Sequence, residues 1–121
     1  MRCPKGYFLK VTPLRRGANK RFWVELHKRG ELLEVGHVAV VKAKRELWET
    51  HARLDDEEHG KGFGVLMYAK AIDVALKKGF KVASSDSPSE DAIRVWSSKR
   101  LNAMYRFRRR KDNRFHVIGR R

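Results

Sequence analysis

Apolar and polar positions recur along this chain with two different periods. From Lys20 to Lys28 they alternate by two, with Phe22, Val24 and Leu26 on one side and Trp23, Glu25 and His27 on the other. That is the pattern of a strand with one buried face. Glu31 to Lys42 is apolar on both faces around Val38-Ala39-Val40-Val41, which predicts a central strand. Gly36 inside it predicts a bulge or a close backbone approach. Arg45 to Leu54 alternates again, with Trp48, Thr50, Ala52 and Leu54 opposite Leu47, Glu49, His51 and Arg53. Tyr7 to Val11 reads as a short strand between Pro4 and Pro13, and Pro13 to Asn19 as a loop. The strands from Lys20 to Leu54, joined by short turns, predict an antiparallel meander.

The period then lengthens. Across residues 62–78 the polar positions Lys70, Asp73 and Lys77 form one narrow wet stripe on an otherwise apolar helix. Lys77 and Lys78 suit its C-terminal dipole, and Gly79 can close it in the left-handed conformation. Phe80 to Ser84 is the next strand, and a strand-helix-strand crossover of this length predicts parallel pairing. Ser87-Pro88-Ser89-Glu90 reads as a capping box, with Ser87 the N-cap, Pro88 at N1 and Glu90 at N3. The helix it opens, residues 88–100, has Ala92, Ile93, Val95 and Trp96 as its apolar face. Ala103 to Arg109 and Arg114 to Ile118 are two strands turned at Lys111-Asp112-Asn113. The expected fold is α/β (α+β): a single mixed, mostly antiparallel sheet with two main helices. One domain spans residues 1–121 and ends in a basic hairpin, residues 102–121.

Between the third of these strands and the first helix lies His59-Gly60-Lys61-Gly62-Phe63-Gly64. Glycine backbone approaches a phosphate closely and adopts positive φ without strain. The first amides of a helix lack internal partners and sit at the positive end of its dipole. The loop therefore reads as a cradle for a pyrophosphate, or, on its own residues, equally as a tight turn that binds nothing.

Composition narrows the classes. The net charge is +15 over 121 residues, and it is uneven. Residues 1–30 carry nine Lys/Arg against Glu25 alone, and residues 99–121 carry ten against Asp112 alone. Such ends attract polyanions, so RNA, DNA, a ribosome or an acidic protein is an expected partner. The expected contacts on the terminal hairpin are Arg106, Arg108, Arg109, Arg110, Lys111 and Arg114, interleaved with Tyr105, Phe107 and Phe115. The single Cys3 cannot form an internal disulfide, no Cys/His group has zinc spacing, and no apolar run has membrane-spanning length. The start, Met1-Arg2-Cys3-Pro4-Lys5, has no apolar secretory region. A cytoplasmic protein without metal is expected.

The loop and the second helix together resemble the GNAT family of acyl-CoA-dependent N-acetyltransferases. That family's loop has Gln or Arg, two residues, Gly, one residue, then Gly or Ala. His59, Gly62 and Gly64 stand at those positions, with His in place of Gln or Arg. In the second helix Ser89, Ala92, Trp96 and Arg100-Leu101 stand where the family often has Asn, Ala, Tyr and Gly-Phe. The stretch Ser89 to Trp96 is similar to small GNAT-like proteins of phage genomes. The resemblance runs from about Tyr7 onward, with the family's N-terminal region shortened.

The resemblance implies acetyl-CoA as co-substrate. Amides of the loop from His59 through Gly60, Gly62, Phe63 and Gly64 would hold the pyrophosphate, and Lys61 would add charge. Leu54 and Asp55 would meet the pantetheine arm, and Trp96 would pack against it. An amine attacking the thioester needs a base and a proton donor. Glu49 is the first candidate base, with Glu46 and His51 behind it. An indole cannot supply the proton, so Trp96 leaves that role to another group, with Tyr105 as a substitute. The leading expectation is an N-acetyltransferase acting on an amine of a protein or RNA-linked acceptor. The alternatives are a non-catalytic GNAT-fold protein that binds a host factor or nucleic acid, and a plain nucleic-acid-binding α+β domain.

Overall fold

Among the described residues, seven strands form one mixed sheet in the computed structural model, which describes residues 2–14 and 20–121. They are β1 (Tyr7–Val11), β2 (Arg21–Lys28), β3 (Gly36–Lys44), β4 (Leu47–Leu54), β5 (Lys81–Ser84), β6 (Tyr105–Arg109) and β7 (Phe115–Arg120), in the spatial order β1-β2-β3-β4-β5-β7-β6. Strands β2 to β4 form the expected antiparallel meander, and β1 adds to it antiparallel to β2. Helix α1 (Phe63–Lys77) then crosses over, and β5 pairs parallel to β4. The loop expected over Pro13 to Asn19 lies largely outside the described residues.

The alternation in the sequence decides which face is covered. Phe22, Val24, Leu26, Val38 and Val40 are fully buried beneath α1 together with its Ala71, Ile72 and Ala75. Trp48 stacks on Phe80 with ring centroids 3.9 Å apart, closing one end of that core. Trp23, Glu25, His27, His37, Ala39 and His51 point to the other, polar face. Gly36 is a close approach, as expected. A Cβ there would stand 2.8 Å from Leu54 Cδ1 and 2.9 Å from the Arg53 carbonyl oxygen. Gly79, at φ +79, closes α1 as the sequence predicts.

Four expectations need correction. Strand β3 begins at Gly36, not Glu31, because the partner strand β2 has already ended where that stretch would pair. Leu32 and Leu33 are instead 98% and 81% exposed, so their apolar character marks no strand. The second helix is two short ones, α2 (Glu90–Trp96) and α3 (Lys99–Met104). Its N-cap is Ser89, whose hydroxyl accepts from the Ala92 amide at 3.1 Å, so Glu90 falls at N1 and the Ser87 box does not form. Ser98 interrupts the helix by capping α3 through the Leu101 amide at 3.2 Å. Asn102 holds the break by donating to the carbonyls of Trp96 and Ser98. Strand β6 consequently starts at Tyr105, after α3 has used Ala103. No described helix is long and apolar enough to cross a membrane.

Candidate functional site

Strands β4 and β5 pair only from Leu47↔Lys81 to Thr50↔Ser84. Past that point β4 continues through His51–Leu54 with β3 as its only strand partner among the described residues, while the chain after Ser84 turns away toward α2. The two strands therefore part, and a cleft of about 820 Å³ opens between them. Its walls are residues 50–54 of β4, the start of α1 and residues 84–96 leading through α2.

The glycine loop forms the rim. Gly62 is the N-cap of α1, left-handed at φ 80, and no side chain caps the helix. The first amide to bond back is that of Leu66, to the Gly62 carbonyl at 3.3 Å. The amides of Phe63, Gly64 and Val65 thus belong to the first turn that a helix leaves unpaired. Gly60, at φ +81, has open space where a Cβ would stand. Gly64 serves packing instead, since a Cβ there would meet Val95 Cγ2 at 2.8 Å and push α2 off α1. Arg100, at the start of α3, reaches back over the loop, its guanidinium 2.8 Å from where a Gly62 Cβ would be.

Other loop residues are tied down. The His59 ring donates through Nε2 to the Leu54 carbonyl at 3.1 Å, closing the loop onto the end of β4. Lys61 turns away from the amides to Glu58 Oε2 at 3.0 Å. Glu58 is buried and also accepts from the Tyr7 hydroxyl at 2.7 Å. The Tyr7 bond, with Lys61 and Lys28 nearby, holds its carboxyl below the usual range against the opposing effect of burial. Asp55 takes Arg53 at 2.5 Å, so its charge is paired beside the cleft, while Leu54 and Phe63 line it.

At the inner end lie Thr50, Tyr68, Ser84 and Trp96. Trp96 is 1% exposed, and its indole Nε1 has no well-formed hydrogen bond among the described residues, with the Tyr68 phenol as its polar neighbour. Tyr68, from the second turn of what reads in sequence as a purely packing face, is the residue the sequence pattern does not single out. Burial pushes its phenol up to about 12, outweighing Thr50 and Trp96, which favour the ionised form. A phenol among aliphatic neighbours was the one available signal. Tyr105, the substitute proton donor of the sequence, spends its hydroxyl on the Ala69 carbonyl at 3.1 Å and does not line the cleft.

The candidate bases separate by position. Glu46 is exposed at the far end of β4 and pairs with Lys81. Glu49 does not line the cleft. It is clamped by Arg114 at 2.5 Å and by His51 at 2.9 Å. Burial alone would raise its pKa, but those two bonds win and lower it. Arg114, expected among the outward basic residues, is instead buried, donating to Glu49 and to the Ser84 carbonyl at 2.9 Å. It reinforces a junction where β5 and β7 share the single register pair Ala83↔His116. Arg106, Arg108, Arg109, Arg110 and Lys111 are exposed on the hairpin. Phe107 and Phe115 pack on Trp96 instead of facing outward.

No protein-family model and no curated protein sequence matches the chain. Solved structures do. The ribosomal-protein-S5-alanine acetyltransferase from Vibrio fischeri is similar at TM-score 0.56 and 16% identity, over 84% of this chain and 61% of that one. A domain from Methanocaldococcus jannaschii DSM 2661 is similar at TM-score 0.54 and 15% identity, over 84% of this chain and 66% of that one. The chain thus spans a little under two thirds of the length of each. At such identities the likeness is one of fold, and the single mixed sheet with its parting central strands is a GNAT-like α+β fold.

Proposed function

We propose that this protein is a GNAT-type N-acetyltransferase that uses acetyl-CoA and acts on an amine of a protein or RNA-linked acceptor. The observation that carries the reading is the opening of α1. Its uncapped first turn lines the cleft beside the one stretch of β4 that lacks a second strand partner. An uncapped helix start favours a phosphate or diphosphate, and a bare strand edge offers main-chain donors and acceptors to an extended amide-bearing chain. Acetyl-CoA has both features and supplies the acetyl thioester.

The residues of this chain divide the work. The amides at Gly62, Phe63 and Gly64 bind negative charge, and Arg100 adds the cation that the sequence suggested for Lys61. His51 to Leu54 align the extended arm along the strand edge. Trp96 and Met67 exclude water from the inner end. Tyr68, protonated at neutral pH, donates a hydrogen bond where charge develops on the thioester. It takes the part of the phenol that Trp96 replaces.

Calorimetry with acetyl-CoA tests the reading. One molecule should bind per chain, and Gly62→Val, strained at a positive φ, should weaken binding at least about ten-fold while circular dichroism stays unchanged. Mass spectrometry of candidate acceptors should then show one added acetyl group. Absence of acetyl-CoA binding to the unaltered protein removes the proposal.

The exposed arginines of the hairpin favour a second reading, a GNAT-fold protein that binds an acidic protein or nucleic acid without catalysis. Partner binding that survives Gly62→Val and is lost on Arg108→Ala/Arg109→Ala/Arg110→Ala would favour it.

A further inference from the structure

His51 is the first residue of β4 beyond the last β4–β5 pair, so it stands where the two strands part. It lines the cleft from the polar face of β4, while Thr50 lines it from the opposite face of the strand. Its ring is held on one side only: Nε2 is 2.9 Å from Glu49 Oε1. A carboxylate accepts and does not donate, so Nε2 carries a proton, and in the neutral ring Nδ1 keeps its lone pair. Glu49 is itself fixed by Arg114, whose side chain is 9% exposed. The arrangement is a base, an orienting carboxylate and a buried clamp, in the order that fixes an imidazole tautomer.

We propose that His51 Nδ1 is the general base of the transfer and Glu49 its positioning residue. The inference rests on the transferase reading and names the proton acceptor within it. Nδ1 takes one proton from the acceptor's ammonium and returns it to water across the half-exposed side of the ring. The freed nitrogen lone pair forms the C–N bond to the acetyl carbon as the C–S bond breaks. The second proton leaving that nitrogen ends on the departing sulfur, so one ammonium and one thioester give one amide, one thiol and one proton. Glu49 is poorly suited to the role itself, because both carboxylate oxygens are occupied by donors.

The charged groups around the imidazole are few. Glu49 and Arg53 flank it on β4, and Arg53 is paired with Asp55. His37, beside it on β3 opposite Arg53, is paired with Glu34. Arg114 reaches it only through Glu49, and on the cleft side Asp91 and Arg94 of α2 pair with each other.

The test follows coenzyme A release from acetyl-CoA, with water and with a pool of short N-terminally free peptides as acceptors. His51→Gln should lower kcat about 10²- to 10⁴-fold. Glu49→Gln should lower it about 10- to 100-fold, since the imidazole loses the carboxylate that orients it. Both variants should bind acetyl-CoA within about three-fold of the unaltered protein. Nitrogen-15 spectra of the folded chain should show the proton of His51 on Nε2 at neutral pH, with that preference reduced in Glu49→Gln. Wild-type turnover in His51→Gln overturns the inference and leaves acetyl-CoA binding standing. Where turnover is below detection the tautomer decides, and a proton on Nδ1 overturns it. Failure of the unaltered protein to bind acetyl-CoA overturns the transferase reading itself, and this inference with it.

Discussion

Tyr68 of α1 meets Trp96 of α2 edge-on, with ring centroids 5.5 Å apart and planes inclined at 69°. The indole fills the inner wall of the cleft and the phenol sits against it. A bulky non-titrating ring and a protonated hydroxyl are thereby supplied by two helices instead of one side chain.

Tyr68→Phe keeps the ring and removes the hydroxyl. Its kcat for acetyl transfer should fall about 10²- to 10³-fold with little change in acetyl-CoA affinity. An alkaline titration of stability provides a second check. Burial pushes the folded phenol up to about 12, against about 10.0 for the exposed phenol of the unfolded chain. Between those values the unfolded chain releases a proton that the folded one retains, so stability falls as pH rises through the window. The total loss is roughly 1–3 kcal/mol, and Tyr68→Phe should show a correspondingly flatter alkaline limb in denaturant melts.

The Gly36–Leu54 contact yields a stability prediction. Gly36→Ala places a methyl group against both a side chain and the Arg53 carbonyl oxygen, and backbone cannot yield cheaply. A loss of about 1–3 kcal/mol is expected in urea unfolding. Gly79→Ala meets no neighbour and is strained only by its positive φ, so it should cost about 1 kcal/mol.

These glycines show what the chain discloses in one dimension. Gly36 in an apolar strand and Gly79 after a lysine pair each have a narrow physical meaning, and each was legible. The alternations at Phe22-Val24-Leu26 and Trp48-Thr50 likewise set the buried face, because a strand has period two and one covering helix. The break between Trp96 and Lys99 was not legible. Ser87, Ser89, Ser97 and Ser98 can all cap a helix, and nothing in their spacing singles out Ser89 and Ser98 or shows that Asn102 will hold the break through the Trp96 and Ser98 carbonyls. Arg114 was hidden for a similar reason. It lies in a run of arginines, and its inward turn depends on Glu49, 65 residues earlier. Tyr68 was hidden by its own helix face, whose apolar spacing reads as packing alone.

Arg100 should behave as a ligand cation. Arg100→Ala should lower acetyl-CoA affinity about ten-fold, and the deficit should shrink at high salt as screening weakens the pair in the unaltered protein. Lys61→Ala should change affinity far less, because its ammonium is committed to Glu58. Calorimetry at two ionic strengths separates the two.

Glu58 links the loop to the first strand, and its carboxyl is held low chiefly by the Tyr7 hydroxyl. A depressed carboxyl adds stability that is present above its unfolded value of about 4.5 and is lost as pH falls through the folded value. Glu58→Gln should therefore melt about 3–6 °C lower at pH 7. Its melting temperature should also decline less steeply than that of the unaltered protein below pH 4.5.

Arg114 and the outer arginines should respond in opposite ways. Arg108→Ala/Arg109→Ala/Arg110→Ala removes exposed charge from a hairpin tip, so folding stability should change by less than about 1 kcal/mol. If the hairpin binds a polyanion, the salt dependence of binding to a single-stranded RNA probe should lose about two to three charges of slope. Arg114→Ala instead leaves the Glu49 carboxylate without its strongest donor and the Ser84 carbonyl without its partner. That should cost about 2–4 kcal/mol with little effect on the salt slope. A triple variant that unfolds readily, with Arg114→Ala behaving like the unaltered protein, would reverse the assignment of inner and outer arginines. Urea melts and salt titrations on the same two variants give that result directly.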